Sequence, residues 1–135
     1  MEVSCLDTFF SDEALMNKLL AVYKNHKRII IAYDFDDTIA PTYMSKDCSC
    51  VVQLLKKMRP YADFICFTSN ENIEKVKLYI AQNDIPCDYI NENVPQMMER
   101  YGNIRKVYFN ILLDDKAGLG QAYRILNDFY EKIKH

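Results

Sequence analysis

Short apolar runs and amphipathic segments alternate along the chain. Residues 29–33, 64–67 and 107–113 are mostly apolar on both faces, and each run ends in polar residues. Runs of this kind are typical of buried parallel strands that emerge into solvent at their carboxyl ends. Residues 87–90 predict a further short strand on a weaker signal. The pattern therefore predicts a sheet of four to five strands.

Between these runs, apolar residues recur at the spacing of helices. A first helix follows Ser11, which is a suitable N-cap, and a third follows Asn70, which we predict to cap it. The second helix must stop before Pro60, and a single helical turn is predicted around Met97 and Met98. The apolar positions that define the helices are Leu15, Leu19 and Val22; Val51, Leu54, Leu55 and Met58; Ile73, Val76 and Ile80; and Ala122, Ile125, Phe129 and Ile133.

Strands that alternate with helices predict an α/β fold. Such βαβ units form a parallel sheet with helices on both faces, which gives a single three-layer, Rossmann-like domain. We expect the first strand to be flanked by the second and the fourth, so that the strand order reverses beside it. At 135 residues the chain has the length of one domain. We expect that domain to cover residues 1–135, with its core over about 28–126 and an N-terminal arm and helix over 1–27.

Composition and charge narrow the possible partners. Hydrophobic residues make up 50% of the chain and charged residues 27%, as in ordinary globular proteins. The net charge of -2 gives no electrostatic sign of binding to nucleic acid or to an anionic membrane. No stretch approaches the ~20 apolar residues of a membrane span, and residues 1–10 lack the pattern of a secretory leader. We expect a cytoplasmic protein with no membrane partner, for which nucleic acid is a partner only as a substrate.

The five cysteines offer little metal chemistry. Cys48 and Cys50 are one residue apart, but no second pair and no nearby histidine completes a tetrahedral zinc site. We interpret these two residues as reduced structural thiols. Cys66 lies inside an apolar run and is predicted to be part of the core.

Carboxylates and hydroxyls follow the predicted strands. Because parallel strands bring their carboxyl ends to one edge of the sheet, we expect these side chains to lie on one rim. Neighbouring carboxylates repel unless a cation lies between them, and a hard divalent ion such as Mg²⁺ suits their oxygen atoms. Acids around Mg²⁺, with hydroxyls and a lysine nearby, suit phosphoryl transfer through a carboxylate. The residues concerned are Asp34, Asp36, Thr68, Ser69, Asp114 and Asp115.

A set of motif residues recurs along the chain in a fixed order. It consists of Asp34-x-Asp36-x-Thr38 after an apolar strand, Thr68 after a second, Lys106 further on, and Asp114-Asp115 after a late strand. This arrangement resembles the haloacid dehalogenase superfamily over residues 28 to about 126. The short length and the LLDDKAG ending are similar to its small capless phosphatases. The resemblance implies a Mg²⁺-dependent phosphomonoester hydrolase that works through an aspartyl-phosphate.

The resemblance also implies catalytic roles. Asp34 would be the nucleophile that attacks phosphorus. Asp36 would protonate the leaving oxygen and then take a proton from the attacking water. Lys106 would balance the charge of nucleophile and phosphate, with Lys75 and Lys77 as its rivals for that role.

The same resemblance implies binding roles. Thr68, with the backbone amides of Ser69 and Asn70, would hold the phosphoryl oxygens. Asp37 stands where the superfamily often has glycine, and we expect a solvated side chain with no catalytic role. The implied Mg²⁺ ligands are Asp34, the backbone carbonyl of Asp36, Asp115 directly, and Asp114 through water.

The resemblance sets limits on the substrate without identifying it. Neither interval in which relatives carry a cap domain has room for one here, so we expect an open site. Such a site suits a phosphorylated small molecule or the phosphorylated end of a macromolecule, including a nucleic acid. An oligomer in which a partner subunit shields the site is also compatible with this sequence.

Three other interpretations remain open at this stage. A phosphotransferase would use the same chemistry with an acceptor other than water. A catalytically silent member would act as a binding or regulatory module. A phosphoacceptor switch like the receiver domains uses a similar acid cluster, but its metal-binding pair follows the first strand and its accepting aspartate the third. Here the third predicted strand ends in Ile90-Asn91 and the acid pair comes late.

Overall fold

A computed structural model describes residues 11–44, 46–102 and 106–135. None of the described helices is long and apolar enough to cross a membrane. The predicted N-terminal arm over residues 1–10 lies outside the described part of the chain. The described elements are α1 (Asp12–His26), β1 (Ile29–Tyr33), α2 (Ser49–Met58), a 3₁₀ turn (Arg59–Tyr61), β2 (Ala62–Cys66), α3 (Ile73–Gln82), β3 (Tyr89–Ile90), α4 (Pro95–Tyr101), β4 (Ile111–Leu113) and α5 (Leu119–Ile133).

The strands form one parallel sheet in the order β3-β2-β1-β4. Ile31 in β1 pairs with Phe64 in β2 on one side and with Ile111 in β4 on the other. The predicted α/β class and the position of the first strand between the second and the fourth are therefore confirmed. Because β1 is central, the residues after it emerge in the middle of the carboxyl edge.

Both faces of the sheet are covered, which confirms the three-layer arrangement. All five residues of β1 are buried. Ile29, Ile31 and Tyr33 belong to a large core cluster with side chains from α1, α2, α3 and α5. Ile30 and Ala32 point to the opposite face, where they pack in a smaller cluster with residues of α4 and of 107–109.

The N-cap residues predicted for two helices can be compared with those in the structure. Ser11 caps α1 as expected, since its Oγ accepts a hydrogen bond from the Ala14 amide at 3.1 Å. The prediction that Asn70 caps the third helix is wrong. Asn72 caps α3 instead and accepts from the Lys75 amide at 3.1 Å, while Asn70 turns toward the loop after β1.

The strand predicted over 107–113 is shorter in the structure. The Asn110 amide still donates to the Ile30 carbonyl at 2.8 Å, but side chains take the place of other main-chain hydrogen bonds in the first half of this run. Asn110 Oδ1 accepts a hydrogen bond from the Ile30 amide at 2.7 Å. The Tyr108 amide donates to Asn93 Oδ1 at 2.6 Å instead of to a neighbouring strand. Only Ile111–Leu113 forms β4 as a result.

Smaller differences occur elsewhere. The second strand covers Ala62–Cys66 rather than 64–67, and the third has only Tyr89–Ile90. The single turn predicted around Met97 and Met98 is a seven-residue helix. Residues 34–48 contain no helix or strand in the part that the structure describes, and α4 (Pro95–Tyr101) is the element described between β3 and β4.

Candidate active site

The chain leaves β1 in a fixed position between two neighbours. The Asp34 amide donates to the Leu113 carbonyl at 2.9 Å, which extends the pairing of β1 with β4. On the other side, the Phe67 amide donates to the Tyr33 carbonyl at 2.8 Å. The main chain of Asp34 is therefore held beside the ends of both β2 and β4.

Three carboxylates meet at this edge. Asp34, Asp114 and Asp115 each offer one oxygen atom, and these atoms all lie within 4.8 Å of one another. All three residues are partly buried, and their hard oxygen donors fit Mg²⁺ better than they fit a soft metal. Neither Cys48 nor Cys50 belongs to this group. Cys48 is buried and Cys50 is exposed.

Crowding changes the protonation of Asp34. Burial raises its pKa to about 7, and the neighbouring carboxylates of Asp114 and Asp115 act in the same direction. Without a cation, a large share of Asp34 is therefore protonated near neutral pH. A bound divalent cation would favour the ionised form.

This raised pKa predicts a pH-dependent stability in metal-free protein. In the unfolded chain Asp34 ionises near pH 3.8, whereas in the folded chain it stays protonated up to about pH 7. The free energy of unfolding is therefore expected to fall as pH rises through this window. Asp34→Asn removes the carboxyl whose raised pKa produces this pH dependence. Allowing for solvent screening of a half-buried carboxyl, the variant gains about 1–2 kcal/mol over the wild type between about pH 4 and pH 8.

Urea denaturation in EDTA at both ends of that window measures the difference. Adding Mg²⁺ at the higher pH is expected to restore the stability of the wild type more than that of Asp34→Asn. A stability difference between the two proteins that does not change with pH would contradict the raised pKa.

Thr38 connects the loop after β1 to the loop after β4. Its side chain is fully buried. Its Oγ1 accepts from the Asp115 amide at 3.1 Å and donates to Asp115 Oδ1 at 3.4 Å. The hydroxyl thus orients one member of the carboxylate group.

Thr38→Val keeps the shape of the side chain but removes this hydroxyl. The Asp115 amide loses its partner, so we expect a loss of about 1–3 kcal/mol in the free energy of unfolding. Because Asp115 is no longer oriented, Mg²⁺ affinity is expected to fall about 10-fold or more. Thr38→Ser, which keeps the hydroxyl, is the matched control for calorimetric Mg²⁺ titrations. Equal Mg²⁺ affinities for the two variants would show that the hydroxyl does not orient Asp115.

Asp37 differs from its prediction. The expected solvated side chain is wrong, because only 4% of the residue is exposed. Its Oδ1 accepts hydrogen bonds from the amides of Thr42, Tyr43 and Met44, each at 3.0 Å. These bonds, above all the one from Met44, hold the pKa of Asp37 below its usual value. Asp37 also has φ of 59°, the left-handed conformation that glycine adopts most easily.

The same loop is packed against the body of the protein. Phe35 is buried and lies edge-on to Tyr79 of α3, with ring centroids 5.4 Å apart. The Phe35 carbonyl accepts hydrogen bonds from the amides of Thr38, Ile39 and Ala40. The turn that carries the acids is therefore supported by the core rather than left free in solvent.

Asp36 is bound by the loop after β2. Asn70 Nδ2 donates to the two carboxylate oxygens of Asp36 at 3.3 and 3.4 Å. The Asn70 amide donates to Thr68 Oγ1 at 3.0 Å, and the Thr68 amide donates to Asn91 Oδ1 at 2.8 Å. The ends of β1, β2 and β3 are thereby linked through polar side chains. This contact explains why Asn70 does not cap α3.

Most of the predicted site residues line one cavity of about 670 Å³. Thr68 is next to it in the chain but is not part of its lining. Sequence reasoning missed Tyr43, Glu71, Asn72 and Lys116, which line it as well. Of these four residues, only Lys116 could have been predicted from the sequence, because it directly follows the acid pair Asp114-Asp115. The predicted residues in the lining are Asp34, Asp36, Ser69, Asn70, Asp114 and Asp115.

The lysines are arranged differently from the expectation. Lys106 is exposed and does not line this cavity. Lys77 lines a separate cavity between α3 and β3 and pairs with Glu74 at 3.7 Å. Lys116 lines the acidic cavity, and its amide donates to Asp114 Oδ1 at 2.9 Å. Lys116 is therefore the lysine in the lining, while the role expected of Lys106 stays a prediction.

Comparison of the chain with protein-family models, with curated proteins and with solved structures finds no match.

Proposed function

We propose that the protein is a Mg²⁺-dependent phosphomonoester hydrolase of the haloacid dehalogenase type, acting through an aspartyl-phosphate on Asp34. The observation that carries this proposal is the group of three carboxylates, Asp34, Asp114 and Asp115, within 4.8 Å at the carboxyl edge of the sheet. A further acid, Asp36, lines the same cavity. The pairing of a nucleophilic carboxylate with a separate acid is what phosphoryl transfer of this kind requires.

The metal-binding residues in this proposal are Asp34, Asp114 and Asp115. Bound Mg²⁺ would neutralise the carboxylates and the charge of the phosphate, which allows an anionic nucleophile to approach an anionic substrate. Thr38 would keep Asp115 in position through its two hydrogen bonds. Asp34 would then be ionised and able to attack.

The reaction has two steps that balance in protons and bonds. An oxygen of Asp34 attacks phosphorus, the bond to the leaving oxygen breaks, and Asp36 donates its proton to that oxygen. In the second step Asp36, now ionised, takes a proton from water as the water oxygen attacks phosphorus. The bond between phosphorus and Asp34 breaks, inorganic phosphate leaves, and both carboxyl groups return to their starting states.

Neighbouring residues have supporting roles in this scheme. Asn70 would keep the Asp36 carboxyl in place for both proton transfers, since its side chain donates a hydrogen bond to both carboxyl oxygens. Ser69 lines the cavity and is exposed, so its hydroxyl and amide are available to phosphoryl oxygens. Lys116 would add positive charge to the acidic lining.

The sheet order favours this proposal over a receiver-like phosphoacceptor. Receivers place the accepting aspartate after a third strand that lies next to the first. Here β3 is an edge strand separated from β1 by β2. It is followed by Asn91, whose side chain accepts a hydrogen bond from the Thr68 amide. The third strand therefore offers no accepting aspartate, and we assign the nucleophile to Asp34, after β1.

Metal removal tests the proposal. We expect the purified protein to release para-nitrophenolate from para-nitrophenyl phosphate with Mg²⁺ present, and to lose about 100-fold or more of this activity in EDTA, because charge neutralisation is lost. Restoring Mg²⁺ is expected to restore the rate. Activity that is equal with EDTA and with Mg²⁺ would rule out the proposed metal dependence.

A further inference from the structure

Tyr43 is the aromatic residue in the lining of the acidic cavity. It is 84% exposed, the highest value among the large hydrophobic residues described as exposed, and Met44 beside it is 61% exposed. Single exposed apolar residues are ordinary on protein surfaces. An aromatic ring at the mouth of a site built otherwise from polar groups is different, because a ligand bound there would contact it.

The main chain that carries this ring is held in place by the fold. The amides of Thr42, Tyr43 and Met44 all donate to the buried carboxylate of Asp37. Asp37 in turn follows Asp36 directly, so the main chain at Tyr43 is tied to the loop that carries the acids. The ring is therefore presented to solvent by a fixed main chain beside the reacting groups.

The charge of the lining limits the kind of substrate. Among the described residues, Lys116 is the only basic one in the lining, against an excess of acids. Bound Mg²⁺ and Lys116 would supply positive charge at the position of one phosphate. The further phosphates of a nucleic-acid strand would lie within the ~8–10 Å over which the remaining acids repel them. The acidic residues are Asp34, Asp36, Asp37, Glu71, Asp114 and Asp115.

We propose that Tyr43 is a stacking platform for the leaving group, and that the substrate is a small phosphomonoester carrying a planar ring, such as a nucleoside monophosphate or an aryl phosphate. This inference rests on the proposed function. The cavity of about 670 Å³ is large enough for a phosphate and such a group together. Stacking of a ring on an aromatic side chain supplies affinity without specific hydrogen bonds.

Binding of phosphonates, in which carbon replaces the bridging oxygen, tests the inference without requiring hydrolysis. Calorimetric titrations with Mg²⁺ compare benzylphosphonate with propylphosphonate, which has no ring. We expect the wild type to prefer the benzyl compound about 5- to 100-fold. Tyr43→Phe keeps this preference and Tyr43→Ala abolishes it. Leu78→Ala, which removes another exposed apolar side chain outside the cavity lining, is the control and keeps the preference.

Two further probes identify the ring. Tighter binding of an adenosine phosphonate than of benzylphosphonate supports a nucleotide, and the reverse supports an aryl phosphate. The inference is overturned if the wild type binds neither ringed compound, if Tyr43→Ala keeps the preference, or if a terminally phosphorylated oligonucleotide binds more tightly than the ringed phosphonates. Since these measurements need no turnover, they fail or succeed independently of the hydrolase assay.

Discussion

Asp34→Asn is expected to reduce phosphomonoester hydrolysis by at least about 10³-fold. Asparagine cannot form an aspartyl-phosphate, and its neutral amide is a weaker metal ligand than a carboxylate. The loss of activity is not expected to come from unfolding, because the substitution removes a carboxyl whose pKa is raised by burial and by repulsion from Asp114 and Asp115 in metal-free protein. The measurement is the steady-state rate with para-nitrophenyl phosphate at saturating Mg²⁺.

Asp128→Asn is the matched control, since Asp128 is a surface acid on α5 that does not line the acidic cavity. It is expected to keep the rate of the wild type. A rate for Asp34→Asn within about 10-fold of the wild type, with Mg²⁺ binding intact, would exclude Asp34 as the nucleophile.

Asp36→Asn is expected to separate substrates by their leaving groups. Without a proton donor, cleavage of an alkyl phosphate should slow by about 10²–10⁴-fold, because the alkoxide is a poor leaving group. The first step with para-nitrophenyl phosphate needs little help from an acid and should change much less. The second step still lacks its base, so the phosphorylated protein accumulates. Rapid mixing should then show a burst of para-nitrophenolate close to one per protein molecule.

The two substrates serve as controls for each other within a single variant. An equal loss of rate with the alkyl phosphate and with para-nitrophenyl phosphate, and no burst, would mean that Asp36 does not transfer the proton.

Asn70→Ala keeps the Asp36 carboxyl but removes the side-chain amide that donates to it. We expect this variant to lose less of its hydrolysis rate than Asp36→Asn, with the same dependence on the leaving group, because Asn70 acts only by positioning Asp36.

The apolar runs predicted the fold because burial on both faces leaves a clear signal. β1 lies where its five-residue run indicated, and the polar residues after it emerge at the carboxyl edge as expected. β4 is shorter because the side chain of Asn110 takes the Ile30 amide, an interaction that hydropathy does not encode. The predicted cap at Asn70 was wrong because a longer-range contact with Asp36 is available, and Asn72 supplies the same chemistry two residues later.

For the site, the sequence indicated that Asp34, Asp36, Asp114 and Asp115 lie at one edge of the sheet, but not how the loops hold them. A solvated side chain is predicted for Asp37 because the three amides that donate to it lie five to seven residues further along the chain, beyond the reach of local sequence patterns. Tyr43 had no periodic or motif signal, and its role depends on where Asp37 holds its main chain. Lys116, which lines the cavity, is not among the predicted residues although it directly follows the acid pair, while the role expected of Lys106 stays a prediction. Contacts between loops decide such details, and their partners are not fixed by spacing.

Mapping the phosphoryl group on the protein tests the central claim most directly. The Asp36→Asn protein is mixed with para-nitrophenyl phosphate and Mg²⁺, quenched in acid, and reduced with borohydride, which converts a phosphorylated aspartate to homoserine. Peptide mass spectrometry should find homoserine in place of Asp34 and at no other aspartate. Reduction at another residue, or product release with no covalent intermediate trapped at any residue, would contradict the proposed nucleophile.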